Sequence, residues 1–499
     1  MNFGFNCQLK IFHKIHFIII LLLINFISVF SSTLDTALVR VFGGPGSEIA
    51  YGMKVMADSG LILAGTTNYY GSGSNSIYLI RTDKNGIHRW SKVLGGIQIE
   101  QGYDLAVQGD SAIIIVGFTN SYGNGGYDGY VIKTDTAGNL LWEKTIGGND
   151  WDFLYSISLL SDGSAILCGK TFSFSNGGYD GYIVKIDSQG NQVWSSHVGG
   201  LGDESLNSCI VSGNNIFLVG TSRLPNNTNT TGYLVKMDLN GNILNQFFYT
   251  GEGNDGLNCI KNFNGNLLIG GYSQYPDSAK KDAWLFKVDT VGNIIWNSIS
   301  NNSEDDFIND ATLVTSDNIV YVGQKNPSGS GEKSMFIVRI DSSNGFLAAA
   351  SFGGGMDEEG FKTVVLPGNR IAFCGYTTSY GAGNEDVYLV ILPYDTTTFE
   401  YVLDIVEYTE QLSPIGIKQI DINKGVLYPN PSTGLICWKE QQNNFISAIS
   451  LSSITGSLVY YSTSLLQDCF DFSNVPKGIY FYKINLSNEK TLNGKLILQ

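Results

Sequence analysis

A pattern 51 to 52 residues long recurs seven times between residues 37 and 405, and no other feature restricts the fold so tightly. Repetition at a fixed period means that each unit is one supersecondary element whose apolar faces are covered by copies of itself. Three landmarks set the register. An acidic residue stands four places beyond a Gly-Gly position at Glu48, Glu100, Asp152, Glu204, Asp255, Asp306 and Glu358. A glycine ends the second apolar run at Gly65, Gly117, Gly169, Gly220, Gly271, Gly323 and Gly375. An aspartate opens the third turn at Asp83, Asp135, Asp187, Asp238, Asp289, Asp341 and Asp395, so the chain holds seven units.

Each unit reads as four strands. In the second, residues 103–107, 112–118, 129–134 and 140–146 are β-branched or aromatic runs separated by turn clusters. Asp135 to Asn139, with Gly138 inside, has the chemistry of a type I turn closed by a glycine at positive φ, which makes a hairpin. Four antiparallel strands in about 50 residues make a propeller blade. No segment shows the 3.6-residue period of a helical solenoid, and a parallel β-helix uses shorter coils. The expected fold is all-β, a seven-bladed β-propeller over residues 33–405. A propeller protects its ends by building one blade from both termini. Residues 37–44 fit that task, because Leu38, Arg40 and Phe42 fall in register with Trp142, Lys144 and Ile146 of a fourth strand. The rival closing strand, residues 399–405, lacks the Gly-Gly ending.

The amino terminus reads as a signal peptide over residues 1–31: Lys10 and Lys14 precede an apolar run reaching Phe30, with Ser31 and Ser32 behind it. No other stretch is apolar enough to cross a bilayer as a helix, so the mature chain is expected to have no transmembrane span. A net charge of −15 argues against a nucleic-acid partner, which requires clustered Lys and Arg. Cys168, Cys209, Cys259 and Cys374 occupy repeat positions and read as buried apolar fillers. Cys437 and Cys469 share a small carboxy-terminal domain bound for an oxidising compartment, and a disulfide between them is an expectation.

Beyond a linker at 406–424, a second pattern starts at Leu427. It contains Pro429, Asn430, Pro431 and Gly434, then Pro476, Gly478 and Tyr480 within a run of alternating strand residues, and ends with Lys495 followed by apolar residues. Prolines fixing turns between short alternating strands describe a β-sandwich over residues 425–499. These residues resemble the type A C-terminal sorting domain of proteins exported by the bacterial type IX secretion system. The resemblance implies an immunoglobulin-like fold, the type IX machinery as partner, passage through the periplasm, and a passenger that is released or attached to the outer face of the outer membrane. In that family the domain is commonly removed on export. The blade units likewise resemble the glycine-rich propeller repeats of such surface proteins, a likeness that names a fold and no fixed activity.

No motif for chemistry stands out. The mature chain keeps only His88 and His197, each near a fourth strand, and it has no Gly-x-Ser-x-Gly elbow or His-Glu-x-x-His pair. No catalytic residue or cofactor is therefore assigned. The seven recurring acids are read first as loop fixers that accept backbone N–H bonds. The alternative for Glu48, Glu100, Asp152, Glu204, Asp255, Asp306 and Glu358 is a ring of oxygen ligands for calcium. Trp90, Trp142, Trp194 and Trp296 share one repeat position and read as interblade core, whereas Trp151 and Trp284 break the repeat and are the ligand-contact candidates. The irregular loops 226–231 and 275–281 are further contact candidates. The function expected is a secreted or surface scaffold for binding or adhesion, with a surface glycan or protein as ligand. A carbohydrate-active enzyme, a glycoside hydrolase or lyase on the same ring, is the competing class.

Overall fold

The computed structural model describes residues 35–409, apart from 224–227, 252, 275–279, 301–304, 327–331 and 395–400. It also describes residues 426–498, apart from 429–434, 440–445, 454–457, 464–468 and 487–490. The signal segment, most of the linker, Asp395 and the Pro-Asn-Pro motif lie outside the described residues. The chain divides into two compact units, Met1–Ile415 and Gly416–Gln499.

The first unit is seven sheets, six of them four antiparallel strands that neighbour one another in chain order and the seventh a five-stranded sheet that takes in the amino-terminal strand. Blade two runs Glu100–Gln108, Ala112–Thr119, Asp128–Thr134 and Leu140–Ile146. The first strands of successive blades lie side by side, and that of blade seven, Glu358–Leu366, returns against that of blade one, Glu48–Val55. The chain is therefore a closed seven-bladed β-propeller.

Blade seven takes its fourth strand from the amino-terminal end. Asp35–Gly43 pairs antiparallel with Asp386–Pro393, placing Leu38 opposite Ile391, Arg40 opposite Leu389 and Phe42 opposite Val387. That is the register in which Trp142, Lys144 and Ile146 meet Lys133, Val131 and Gly129. The alternation of this strand splits its burial: Ala37, Val39 and Val41 enter the core shared with blade six, while Phe42 enters the core shared with blade one. Tyr401–Thr409 then adds a fifth strand, parallel to the first. The strand runs four residues past the expected start of the linker, because Arg40 hydrogen-bonds the Asp404 carbonyl at 2.7 Å and Phe42 stacks on Tyr408 at 5.1 Å.

Two glycine positions explain how the blades fit. Every innermost strand carries a bulge at one place, leaving Tyr51, Tyr103, Tyr155, Asn207, Asn258, Asn309 and Phe361 without a partner across the ladder. Opposite each bulge lies the glycine of the second strand. A Cβ at Gly117 would run into the Gln101 carbonyl, its carbon only 2.8 Å away, and the other six positions repeat the conflict. A bulge pushes the backbone out of the pleat, and only a residue without Cβ leaves it room. The second position is the third turn. Gly138, Gly190 and Gly241 have positive φ and lie against Trp90, Trp142 and Trp194 of the preceding blade, so those tryptophans pack between blades.

The second unit holds a three-stranded sheet and a four-stranded sheet. Ile449, Leu451, Phe470, Phe472, Tyr482, Ile484 and Leu496 form its core, with residues from both sheets, as expected of a sandwich.

Candidate functional site

The repeated acids are mortar for the ring. Glu48, Glu100, Asp152, Glu204 and Glu358 are buried, and each accepts the N–H of the glycine four residues earlier at 2.7 to 3.2 Å. Asp255 accepts from Gly251 in the same way. Their second oxygens take a hydroxyl from the end of the next strand, as Thr119 gives to Glu100 at 2.9 Å and Ser273 to Asp255 at 2.6 Å. The acid's own N–H binds the preceding blade, Asp152 to the Tyr127 carbonyl at 2.7 Å and Glu204 to that of Tyr179 at 2.7 Å. These carboxylates are engaged by their own loops, and among the described residues no group of three or more His, Cys, Asp or Glu is placed to hold a metal. Where the third strand also opens with an aspartate, two carboxylates flank one glycine. Asp386 beside Glu48 is the clearest case: burial first, then Glu48 and Glu407, push its pKa up to about 6 against the N–H of Gly383.

Below the acids, the bulges aim their side chains into the channel as a collar with two halves. Tyr51 meets Phe361 at 4.9 Å and Tyr103 at 5.3 Å, and Tyr103 meets Tyr155 edge-on at 5.1 Å. On the other half, Asn207 donates to the Leu257 carbonyl at 3.0 Å, Asn258 to that of Ile308 at 2.8 Å and Asn309 to that of Gly360 at 2.9 Å. Each amide thus crosses to the next blade. Burial pushes the Tyr103 phenol up to about 12, so the collar stays uncharged at physiological pH.

The aromatic half continues outward over the face that carries the loops joining strand four to strand one and strand two to strand three. Tyr103 contacts Phe118 at 5.9 Å, Phe118 contacts Tyr127 and Phe153, and Tyr127 meets the indole of Trp151 edge-on at 5.6 Å. Trp151 is 43% exposed, and Tyr69, Ile97, Tyr122, Phe174, Leu201 and Met356 are exposed in loops on the same face of the ring. Lys170 lies 3.9 Å above the Tyr179 ring in the same sector. Trp284 is elsewhere. It is 5% exposed, stacks on Phe286 at 4.6 Å and donates to Asn297. Its partner across the ladder is Gly271, exactly as Tyr130 faces Gly117 and Tyr182 faces Gly169, so it follows the repeat and belongs to the core. The column of aromatics opposite the strand-two glycines is the signal that places it. Of the irregular loops, 226–227 and 275–279 lie outside the described residues.

On the far side of the collar the channel widens into a chamber of about 420 Å³ whose wall includes Lys54, Asp104, Ser156, Ser208, Lys261 and Lys362. Asp104 accepts the Ser156 hydroxyl at 3.1 Å and the Ile157 N–H at 3.3 Å, and lies 3.6 Å from the Lys362 ammonium. Asp310 accepts the Thr363 N–H at 3.1 Å and pairs with Lys261 at 2.9 Å. Burial opposes the Asp104 charge, but Lys362 and Lys54 outweigh it and hold its pKa below the usual range. Sequence reading missed this cluster. Its signal is two columns of inner-strand positions, one holding Asp104, Asp310 and Lys362 and the other Lys54 and Lys261, that are small or apolar in other blades.

His197 pairs with Asp180 at 2.9 Å and His88 with the Ser91 hydroxyl at 2.8 Å, in different blades. Cys168, Cys209, Cys259 and Cys374 are buried free thiols. In the second unit Tyr480 donates to the Pro476 carbonyl at 2.6 Å, closing the turn that holds Gly478. The backbone register sets Cys437 opposite Cys469. Among the described residues no helix is long and apolar enough to cross a membrane.

A stretch of the chain is 27% identical over 168 residues to the regulatory protein FlaEY of Caulobacter vibrioides, covering 28% of this chain and 17% of that protein. The extracellular domain of a hybrid two component system from B. thetaiotaomicron aligns at 12% identity and a TM-score of 0.42, over 90% of this chain and 56% of that one. The WD40 β-propeller domain of Doa1 aligns at 11% identity and a TM-score of 0.43, over 74% of this chain and 95% of that one. The chain thus spans under two thirds of the length of the first two. Residues 426–499 match the family described as the secretion system C-terminal sorting domain. The chain is a β-propeller repeat protein that carries, at its carboxy terminus, a type IX secretion C-terminal sorting domain and so is marked for export.

Proposed function

We propose that the propeller is an exported binding scaffold that engages a carbohydrate with the aromatic sector of its loop face. The observation that carries this reading is Trp151, an exposed indole held edge-on by Tyr127 at 5.6 Å and by Phe172 at 6.2 Å. An aromatic ring left in water costs hydration, and a contiguous apolar patch on a secreted protein marks an interaction surface. Indole faces suit the C–H faces of sugar rings, and the surrounding loops offer backbone groups for hydroxyls. The rigid collar beneath keeps the platform preorganised, which lowers the entropic cost of binding.

Delivery follows from the two ends of the chain. The amino-terminal segment sends it through the inner membrane, the sorting domain takes it from the periplasm across the outer membrane, and the ring is released or held at the cell surface. A glycan array probed with the mature chain tests the proposal. Retention of a defined glycan set by the wild type and its loss in Trp151→Ala are expected; equal retention by both proteins refutes the assignment.

A further inference from the structure

The chamber beyond the collar carries three ammonium groups, Lys54, Lys261 and Lys362, and two carboxylates, Asp104 and Asp310, at the heart of a chain whose net charge is −15. Two of the lysines have plain structural duties. Lys261 of blade five pairs with Asp310 of blade six, and Lys362 of blade seven pairs with Asp104 of blade two across the channel. Lys54 has none. Among the described residues it donates no hydrogen bond and closes no ion pair, and it feels Asp104 and Asp310 only at longer range, against the repulsion of Lys362 and Lys261.

Lys54 is half-buried, and a third ammonium confined beside two others is unfavourable unless something compensates it, because a partly desolvated charge gains by being paired. Burial indeed pulls the Lys54 pKa below the ordinary lysine range. A structural role alone is met as well by the small or apolar residues that other blades place at this position, Ala106, Ser158 and Ile210. The chamber also has room, since about 420 Å³ lies within the roughly 300 to 1,000 Å³ typical of small-ligand sites. Ser156, Ser158 and Ser208 add hydroxyls on the wall beyond Lys54.

We infer that this chamber binds a small anion bearing a carboxylate or phosphate group, with Lys54 as its direct partner and Lys261 and Lys362 supplying the surrounding positive field. The anion balances the one unmatched charge, and the strongly acidic chain outside the channel leaves this as the place where an anion gains most. The site is separate from the Trp151 face, so either can fail without the other.

The test is titration of the mature chain with sodium glucuronate, with inorganic phosphate and with glucose, followed by calorimetry and by thermal melting. Saturable binding of glucuronate or of phosphate, with none for glucose, is expected, and which anion binds identifies the acidic group. Lys54→Met should lose at least tenfold in affinity, Lys54→Arg should keep most of it, and Lys54→Met without anion should melt no lower than wild type. Absence of saturable binding for both anions in the wild type overturns the inference even if a variant fails to fold. Equal binding by folded Lys54→Met, or equal binding of glucose, overturns it too.

Discussion

Gly117→Ala isolates the device that builds the collar. Gly117 lies opposite the bulge at Tyr103, where the inner strand leans toward it. A methyl group there sits 2.8 Å from the Gln101 carbonyl carbon and 3.0 Å from the Gly102 Cα, and nearer still to the carbonyl oxygen. Carbon atoms rest about 3.5 to 4.0 Å apart and the overlap with the carbonyl oxygen is larger still, so the inner strand must withdraw by more than about 1 Å. Overpacking of that kind costs about 1 to 3 kcal/mol, and a rigid backbone neighbour puts this site at the upper end. The restricted unfolded chain returns about 0.4 to 1 kcal/mol, leaving a net loss of roughly 2 kcal/mol. Gly200→Ala is the matched control, because Gly200 has no neighbour within 4 Å of an added Cβ and no positive φ; it should be neutral or stabilised by up to about 1 kcal/mol. Urea unfolding followed by tryptophan fluorescence reads the difference as a separation of midpoints at unchanged slope. Coincident midpoints for the two alanine variants would show that the strand-two glycines are not there for the bulges.

Two further outcomes follow from ring closure and from the acid pairs. Deleting residues 35–43 removes the buried Val39, Val41 and Phe42 and the Arg40–Asp404 pair, a loss of about 5 kcal/mol or more, so the melting temperature should fall sharply; an unchanged melt would mean that Tyr401–Thr409 alone closes the blade. Asp386 is buried and its pKa is pushed up to about 6, against an ordinary aspartate value near 3.8. The folded state thus holds the proton more tightly than the unfolded chain, and this group's contribution to stability declines as pH rises from about 4 to about 6, by roughly 3 kcal/mol in all. Asp386→Asn should flatten that window and raise the melting temperature at neutral pH; an identical pH profile in the variant contradicts the assignment.

The seven-unit count, the four strands per blade and the closing register of Leu38, Arg40 and Phe42 were legible because each rests on a repeated column, in which chance matches do not persist. Gly65 and its six equivalents were legible as landmarks, yet their reason was not, since a bulge is a property of two strands in register and a single strand does not reveal it. Trp284 stands outside the tryptophan position of strand four, yet in the column of Tyr78, Tyr130, Tyr182, Tyr233 and Tyr388 it is an ordinary member, a relation visible only once strands two and three are paired. The chamber was invisible for a different reason. Lys54, Asp104 and Lys362 come from three blades, and Lys54 is 308 residues from Lys362 along the chain, so only ring closure brings them together. The outer fifth strand depends likewise on where the two ends of the ring meet.

One paired measurement separates recognition on the loop face around Trp151 from the core role of Trp284. Binding of an array-selected glycan and the melting temperature are recorded together for wild type, Trp151→Ala and Trp284→Ala. Trp151→Ala should melt like wild type and bind at least tenfold more weakly, a loss of about 1.4 kcal/mol or more. Trp284→Ala should lose about 3 to 5 kcal/mol of stability. Wild-type affinity in a folded Trp151→Ala protein would contradict this division of roles.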